Sequence, residues 1–155
     1  MKVATLISTL MALPFAGFAD DAAKAHLMEV GKTAYATCAA CHGPDGKGLA
    51  VGASKMAPSF EGSKIVVGDP ALLALVILKG IQKEGTTYMG MMMPLGAALD
   101  DEKLAGVMTY LRQSYGNTAA VVTAEDAKKY REQWKDIAAP VSYTHLRAHE
   151  TEAEL

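Results

Sequence analysis

Two cysteines and a histidine stand together in Cys38-Ala39-Ala40-Cys41-His42, and the 155 residues contain no other cysteine. Residues three apart share one side of a helical turn, so both thiols and the imidazole that follows them would face one place. Three chemistries could use such a group. The thiols could form a local disulfide or a thioredoxin-like redox couple, but such a couple sits before a helix in a βαβ setting. No stretch of this chain alternates convincingly as a strand would. A zinc ion takes about four ligands; Cys38, Cys41 and His42 supply three, and His26 has no supporting spacing. The third chemistry is attachment of a c-type haem, for which Cys-x-x-Cys-His is the signature. Each sulfur would form a thioether with a vinyl group, and His42 would bind the iron. Two cysteines placed at random would give this pattern roughly 3 times in 10,000.

The elements that must hold this motif can be placed from periodicity. Leu27, Val30 and Ala34, together with Met28, Gly31 and Tyr35, recur at helical spacing and predict a helix from about Asp21 into the cysteines. Gly43-Pro44-Asp45-Gly46 breaks it, and a Gly-rich loop runs to about Gly68. Asp69 is a good N-cap with Pro70 at the first helical position. Residues 71–78 are apolar on nearly every face, which suits a buried helix, and Gly80 ends it. A third helix begins near Asp100, with Asp101 and Glu102 in its first turn, where negative charge suits the helix dipole. Its apolar stripe is Leu104, Val107, Met108, Leu111 and Tyr115; Arg112 lies in its last turns and Gly116 is its C-cap candidate. A fourth begins at Thr123, with Asp126 placed for a capping box, and presents Ala127, Tyr130, Trp134 and Ile137 on one face. The fold class is all-α.

Half the residues are apolar and the net charge is −2, which allows one small core and gives no basic patch for nucleic acid. The N-terminus reads as a secretory leader. Lys2 opens it, residues 3–13 are apolar, Pro14 ends the stretch, and Gly17 and Ala19 precede a cleavage point before Asp20. A spanning helix would need about 20 apolar residues, more than this stretch has. Nine methionines is a high count, and Met89, Met91, Met92 and Met93 fall together.

The run from Gly31 to Gly116 resembles a bacterial class I c-type cytochrome, of the kind that accompanies periplasmic dehydrogenases. Gly31-Lys32-Thr33-Ala34-Tyr35 is similar to that family's first helix, Cys41-His42-Gly43-Pro44-Asp45-Gly46 to its attachment loop, and Leu104 to Arg112 to its C-terminal helix. The resemblance implies a small cytochrome c fold, with three core helices around one haem plus a C-terminal helix. It implies one covalent haem c held by Cys38 and Cys41, with His42 on the iron. Pro58, within Ala57-Pro58-Ser59-Phe60, stands where the family's loop proline would accept a hydrogen bond from that histidine. Tyr88-Met89-Gly90-Met91-Met92-Met93-Pro94-Leu95-Gly96 is similar to a family stretch reading Tyr-x-Gly-x-Met-Pro-Pro-x-Gly, a register that makes Met92 the second axial ligand. Met93 departs from it by replacing the first proline, and a rule of methionine directly before proline would choose Met93. Gly31 and Tyr35 would meet the third helix where it crosses the first.

The expected domains are a leader at 1–19, a cytochrome c domain at 20–117 and a helical extension at 118–141. Residues 142–155 are set aside from fold reasoning, because Ser142 to Thr151 resembles mistranslated sequencing-adapter DNA. The expected function is single-electron transfer in the periplasm, by an electron carrier or electron-transfer subunit and not an enzyme. The resemblance implies redox partners such as a dehydrogenase or a terminal oxidase or reductase, no nucleic acid, and a membrane only through a partner. A haem enzyme or gas sensor with a displaceable sixth ligand is the alternative, and the sequence offers it no distal histidine–arginine pair.

Overall fold

The computed structural model describes residues 16–83, 88, 90–142 and 146. Its first element, α1, runs from Ala16 to His42, so the cysteine motif forms the last turn of a long helix. It begins five residues ahead of the expected start, inside the segment read as a leader. Gly43 stops it at φ +74°, and the chain then turns back on the helix end. Gly48 N donates to the His42 carbonyl at 2.8 Å and Leu49 N to that of Cys41 at 2.9 Å. These bonds satisfy carbonyls that a helix end leaves without partners.

The Gly-rich loop carries more structure than its composition suggested. A short antiparallel hairpin, β1 (Ala50–Val51) and β2 (Ser54–Lys55), pairs Ala50 with Lys55. A single helical turn, α2 (Lys64–Val67), follows. The helix α3 (Pro70–Lys79) is bounded as its sequence predicts. Asp69 accepts from Ala71 N at 2.8 Å, and Gly80 closes the far end. Residues 71–78 are all buried, which explains why this helix has no polar face.

α4 (Asp101–Gln113) starts from the Asp100 cap. It ends at Ser114, earlier than Gly116, because Asn117 takes over the helix end. The Asn117 amide donates to the Leu111 and Phe60 carbonyls, both at 3.0 Å, and accepts from Gly62 N. α5 (Ala124–Gln133) opens with the expected Thr123–Asp126 capping box. Asp126 is held below the usual carboxylate range, chiefly by the Thr123 hydroxyl. Trp134, just past α5, buries its ring and donates from Nε1 to the Ala71 carbonyl at 2.8 Å. Of the segment set aside at the C-terminus, Leu146 is buried on the core.

α1 crosses α4 with the two backbones almost touching. A Cβ on Gly31 would lie 2.0 Å from the Gly106 carbonyl oxygen, and a Cβ on Gly106 would lie 2.9 Å from Gly31 N. Tyr35 packs beside the crossing, 5.4 Å from the Tyr110 ring and 5.8 Å from Tyr115, and its hydroxyl donates to the Gly43 carbonyl. His26 pairs with Glu102 across the same two helices at 2.8 Å, with both side chains exposed, so the pair adds little. Among the described residues, no helix is long and apolar enough to cross a membrane.

Gly31→Ala should force the crossing apart. The expected loss is about 1–3 kcal/mol of stability, the usual cost of overpacking, read from the denaturant midpoint of the holoprotein.

Candidate functional site

Cys38, Cys41 and His42 occupy the last turn of α1 and are half-buried. All three line an apolar cavity of about 300 Å³. Met91, Met92, Met93 and Leu95 also line it, as do residues of α3 and α4 such as Ile77 and Leu111. The sequence singled out these three residues and Met92, and the structure brings all four to one cavity. A larger groove of about 600 Å³ adjoins it at Thr37, Cys38, Leu95 and Val107 and runs between α1 and α4. His42 and the loop methionines lie outside that groove.

His42 is fixed on two sides. Its Nδ1 lies 3.3 Å from the Pro58 carbonyl oxygen. A carbonyl only accepts, so Nδ1 carries the proton and the Nε2 lone pair is left available for a metal. Its ring stacks on Phe60, with centroids 4.2 Å apart and planes 19° apart. Burial lowers the His42 pKa, and the Pro58 bond offsets part of that. The imidazole is therefore held neutral, the form that ligates. The expected Pro58 contact is present. The Phe60 stack was not foreseen, because a phenylalanine two residues after a loop proline carries no signal of what it covers.

Burial raises the Cys38 pKa above the ordinary thiol value. A thiol-exchange catalyst needs the opposite shift. Among the described residues, no three His, Cys, Asp or Glu side chains are grouped as a metal site. The raised Cys38 pKa removes support from the thioredoxin reading.

The methionines separate by burial. Met92 is half-buried and packs on the core, whereas Met91 is 49% and Met93 62% exposed. Met92 exchanges two backbone hydrogen bonds with Ile81, both 2.9 Å, and successive residues of such a paired stretch point to opposite sides. Met89 lies outside the described residues.

The cytochrome c family model matches residues 28–114, more than half of the chain, from within α1 to the end of α4. The chain belongs to the cytochrome c family. It is 36% identical over 110 residues to the cytochrome c subunit of a quinone alcohol dehydrogenase from Gluconacetobacter polyoxogenes, an alignment covering 68% of this chain and 22% of that subunit. The match to the corresponding Gluconobacter oxydans subunit is 33%, covering 68% of this chain and 21% of that one. This cytochrome thus spans about a fifth of the length of those relatives. It is also 32% identical to cytochrome c-552 of Thermus thermophilus, covering 65% of this chain and 83% of that protein.

Membership brings a covalently bound haem c, and the residues present fit one. Two sulfurs, an oriented imidazole and a soft thioether line one apolar cavity. Such a haem supplies a one-electron iron couple, while the protein supplies orientation and tuning.

Phe60 is 8% exposed and fills the space beside His42. Phe60→Ala should cost about 3–5 kcal/mol, measured by denaturant unfolding of the holoprotein.

Proposed function

We propose that this cytochrome c is a periplasmic single-electron carrier, not an enzyme, with its haem bound through Cys38 and Cys41 and its iron ligated by His42 and Met92. One observation carries the reading: His42, anchored by Pro58, shares a single apolar cavity with both cysteines and with the most protected methionine of the 91–93 run.

Each residue has a distinct part. Cys38 and Cys41 tether the cofactor to α1, so it stays in place even where its edge meets solvent. The Pro58 carbonyl holds the His42 proton on Nδ1 and sets the direction of Nε2, as outer-shell partners of ligating histidines do. Met92 would supply the second protein ligand to the iron. Methionine opposite histidine raises the potential, and a closed position leaves no room for a substrate. The apolar walls exclude water, which lowers the local dielectric and tunes the couple.

A dehydrogenase is the electron donor this reading favours. Two relatives are cytochrome c subunits of quinone alcohol dehydrogenases. Their greater length leaves the partner a matter for experiment. The match to cytochrome c-552 covers most of that protein, which suits a small carrier equally well.

The oxidised holoprotein should show a methionine–iron charge-transfer band. Met92→Ala should abolish it, while Met91→Ala and Met93→Ala should keep it; loss of the band in Met93→Ala would reassign the ligand. Carbon monoxide should bind slowly to the reduced protein and quickly to Met92→Ala. Rapid binding to the unaltered protein would favour a gas sensor or haem enzyme instead. Cys38→Ser with Cys41→Ser, exported by a host with haem-attachment machinery, should yield a chain whose mass lacks the cofactor.

A further inference from the structure

The described residues of the methionine loop form no helix and no strand beyond single bridges, yet they must hold a ligand atom steady. What holds it comes largely from residues 118–142, beyond the span that the family shares. Ile81 sits between two extended neighbours. On one side it pairs with Met92 through two backbone bonds, and on the other it forms a parallel bridge with Val141. Gln82 N donates to the Val141 carbonyl at 3.0 Å, and Val141 N donates to the Gly80 carbonyl at 3.1 Å. Val141 is only 3% exposed.

Arg131, on α5, grips the other end of the same loop. Its Nη1 donates to the Gly96 carbonyl at 2.9 Å and its Nη2 to that of Leu99 at 2.7 Å. Its Nε bonds Asp101 at 2.8 Å, which anchors the guanidinium at the start of α4. Lys79 Nζ donates to the Lys135 carbonyl at 3.0 Å and Trp134 to that of Ala71, so the extension is fastened to α3 as well. The loop is thus clamped at Met92 through Ile81 and at Gly96–Leu99 through Arg131. Gly80 makes the first clamp possible: a Cβ there would lie 2.3 Å from the Met92 carbonyl oxygen.

We infer that the C-terminal extension is a strap that positions the axial methionine, with Arg131 and Val141 as its positioning residues. The inference rests on Met92 as iron ligand. The strap works against local opening, the event by which an irregular segment departs from its native place. While it is in place, the loop cannot swing away from the iron, and outside ligands are kept off. Slackened, it would leave the fold intact and the sixth position intermittently free.

The test uses the full-length holoprotein. Arg131→Gln keeps the length of the stem and removes the fork; Val141→Pro removes the N–H that bonds Gly80. Each should raise the carbon monoxide association rate of the reduced protein, and hydrogen exchange at the Met92 amide, by about tenfold, the scale of one lost hydrogen bond. The methionine–iron band should weaken in both. Lys128→Ala, at an exposed α5 residue that takes no part in either clamp, should stay within about twofold of the unaltered protein in both rates. Should Val141→Pro not fold, Arg131→Gln decides alone, because its side chain is partly exposed and lies away from the core. If Arg131→Gln leaves carbon monoxide binding and Met92 exchange within about twofold of the starting protein, the strap is refuted. If the unaltered protein lacks the band, the ligand assignment fails; amide exchange at Met92 still reports on the strap.

Discussion

The contact on which the rest of this cytochrome depends is the crossing of α1 over α4 at Gly31 and Gly106. There the separation is set by backbone against backbone, with no side chain between. α1 carries Cys38, Cys41 and His42 two turns and more beyond that point, and α4 carries Val107 and Leu111 into the cavity wall. A helix is stiff over such a distance, so fixing the crossing fixes where the attachment motif stands relative to the wall. Tyr35, Tyr110 and Tyr115 fill the angle between the helices. Aromatic rings at these separations give both contact area and a preferred geometry. The crossing therefore has a defined angle as well as a defined distance.

The segment between α1 and α3 needs a different kind of support, because it has little regular structure. Arg112 provides much of it. Its side chain, 4% exposed, donates to the carbonyls of Val66, Gly68 and Ala120 at 2.7–2.9 Å. Burial lowers its pKa, yet a guanidinium stays charged in proteins. A buried charge is tolerated when its hydrogen-bonding needs are met, and here carbonyl dipoles meet them without a carboxylate. The consequence is mechanical. Val66 lines the cavity, and its backbone is tied to α4 through a planar fork that permits few other arrangements.

The sequence was most informative where local chemistry decides the outcome. Asp69, Pro70 and Gly80 bounded α3 to the residue, and Thr123 with Asp126 announced the start of α5, because caps are interactions between near neighbours. Cys38, Cys41 and His42 were legible for the same reason: the chemistry is written into a spacing of one helical turn. The end of α4 was misplaced because Asn117 reaches back to Leu111 and across to Phe60, a contact 57 residues away that no local pattern records. α2 was missed because four residues cannot display a period, and what holds them is Arg112. Residues 1–15 of the leader expected at 1–19, and Met89, lie outside the described residues. Three consecutive methionines gave composition no means of choosing among them. The family register favoured Met92, and its pairing with Ile81 leaves it half-buried while Met91 and Met93 are exposed.

The two walls of the cavity differ in how they are stabilised, and that difference bears on electron transfer. His42 is held by the helix that bears it, by Pro58 and by Phe60, so its position is over-determined. Met92 depends on contacts made by residues far away in sequence. Under the ligation proposed above, rigidity at both His42 and Met92 would serve electron exchange, which is fastest when little moves between the two oxidation states. Helical stability is inherited by the histidine side at no extra cost, whereas the methionine side must acquire it from tertiary contacts. The conformation that lets an outside ligand reach the iron should therefore be an opening of the methionine side. By the same logic, lengthening or loosening the chain between α3 and α4 should alter ligand access well before it alters the fold, since the α1–α4 crossing is made without it.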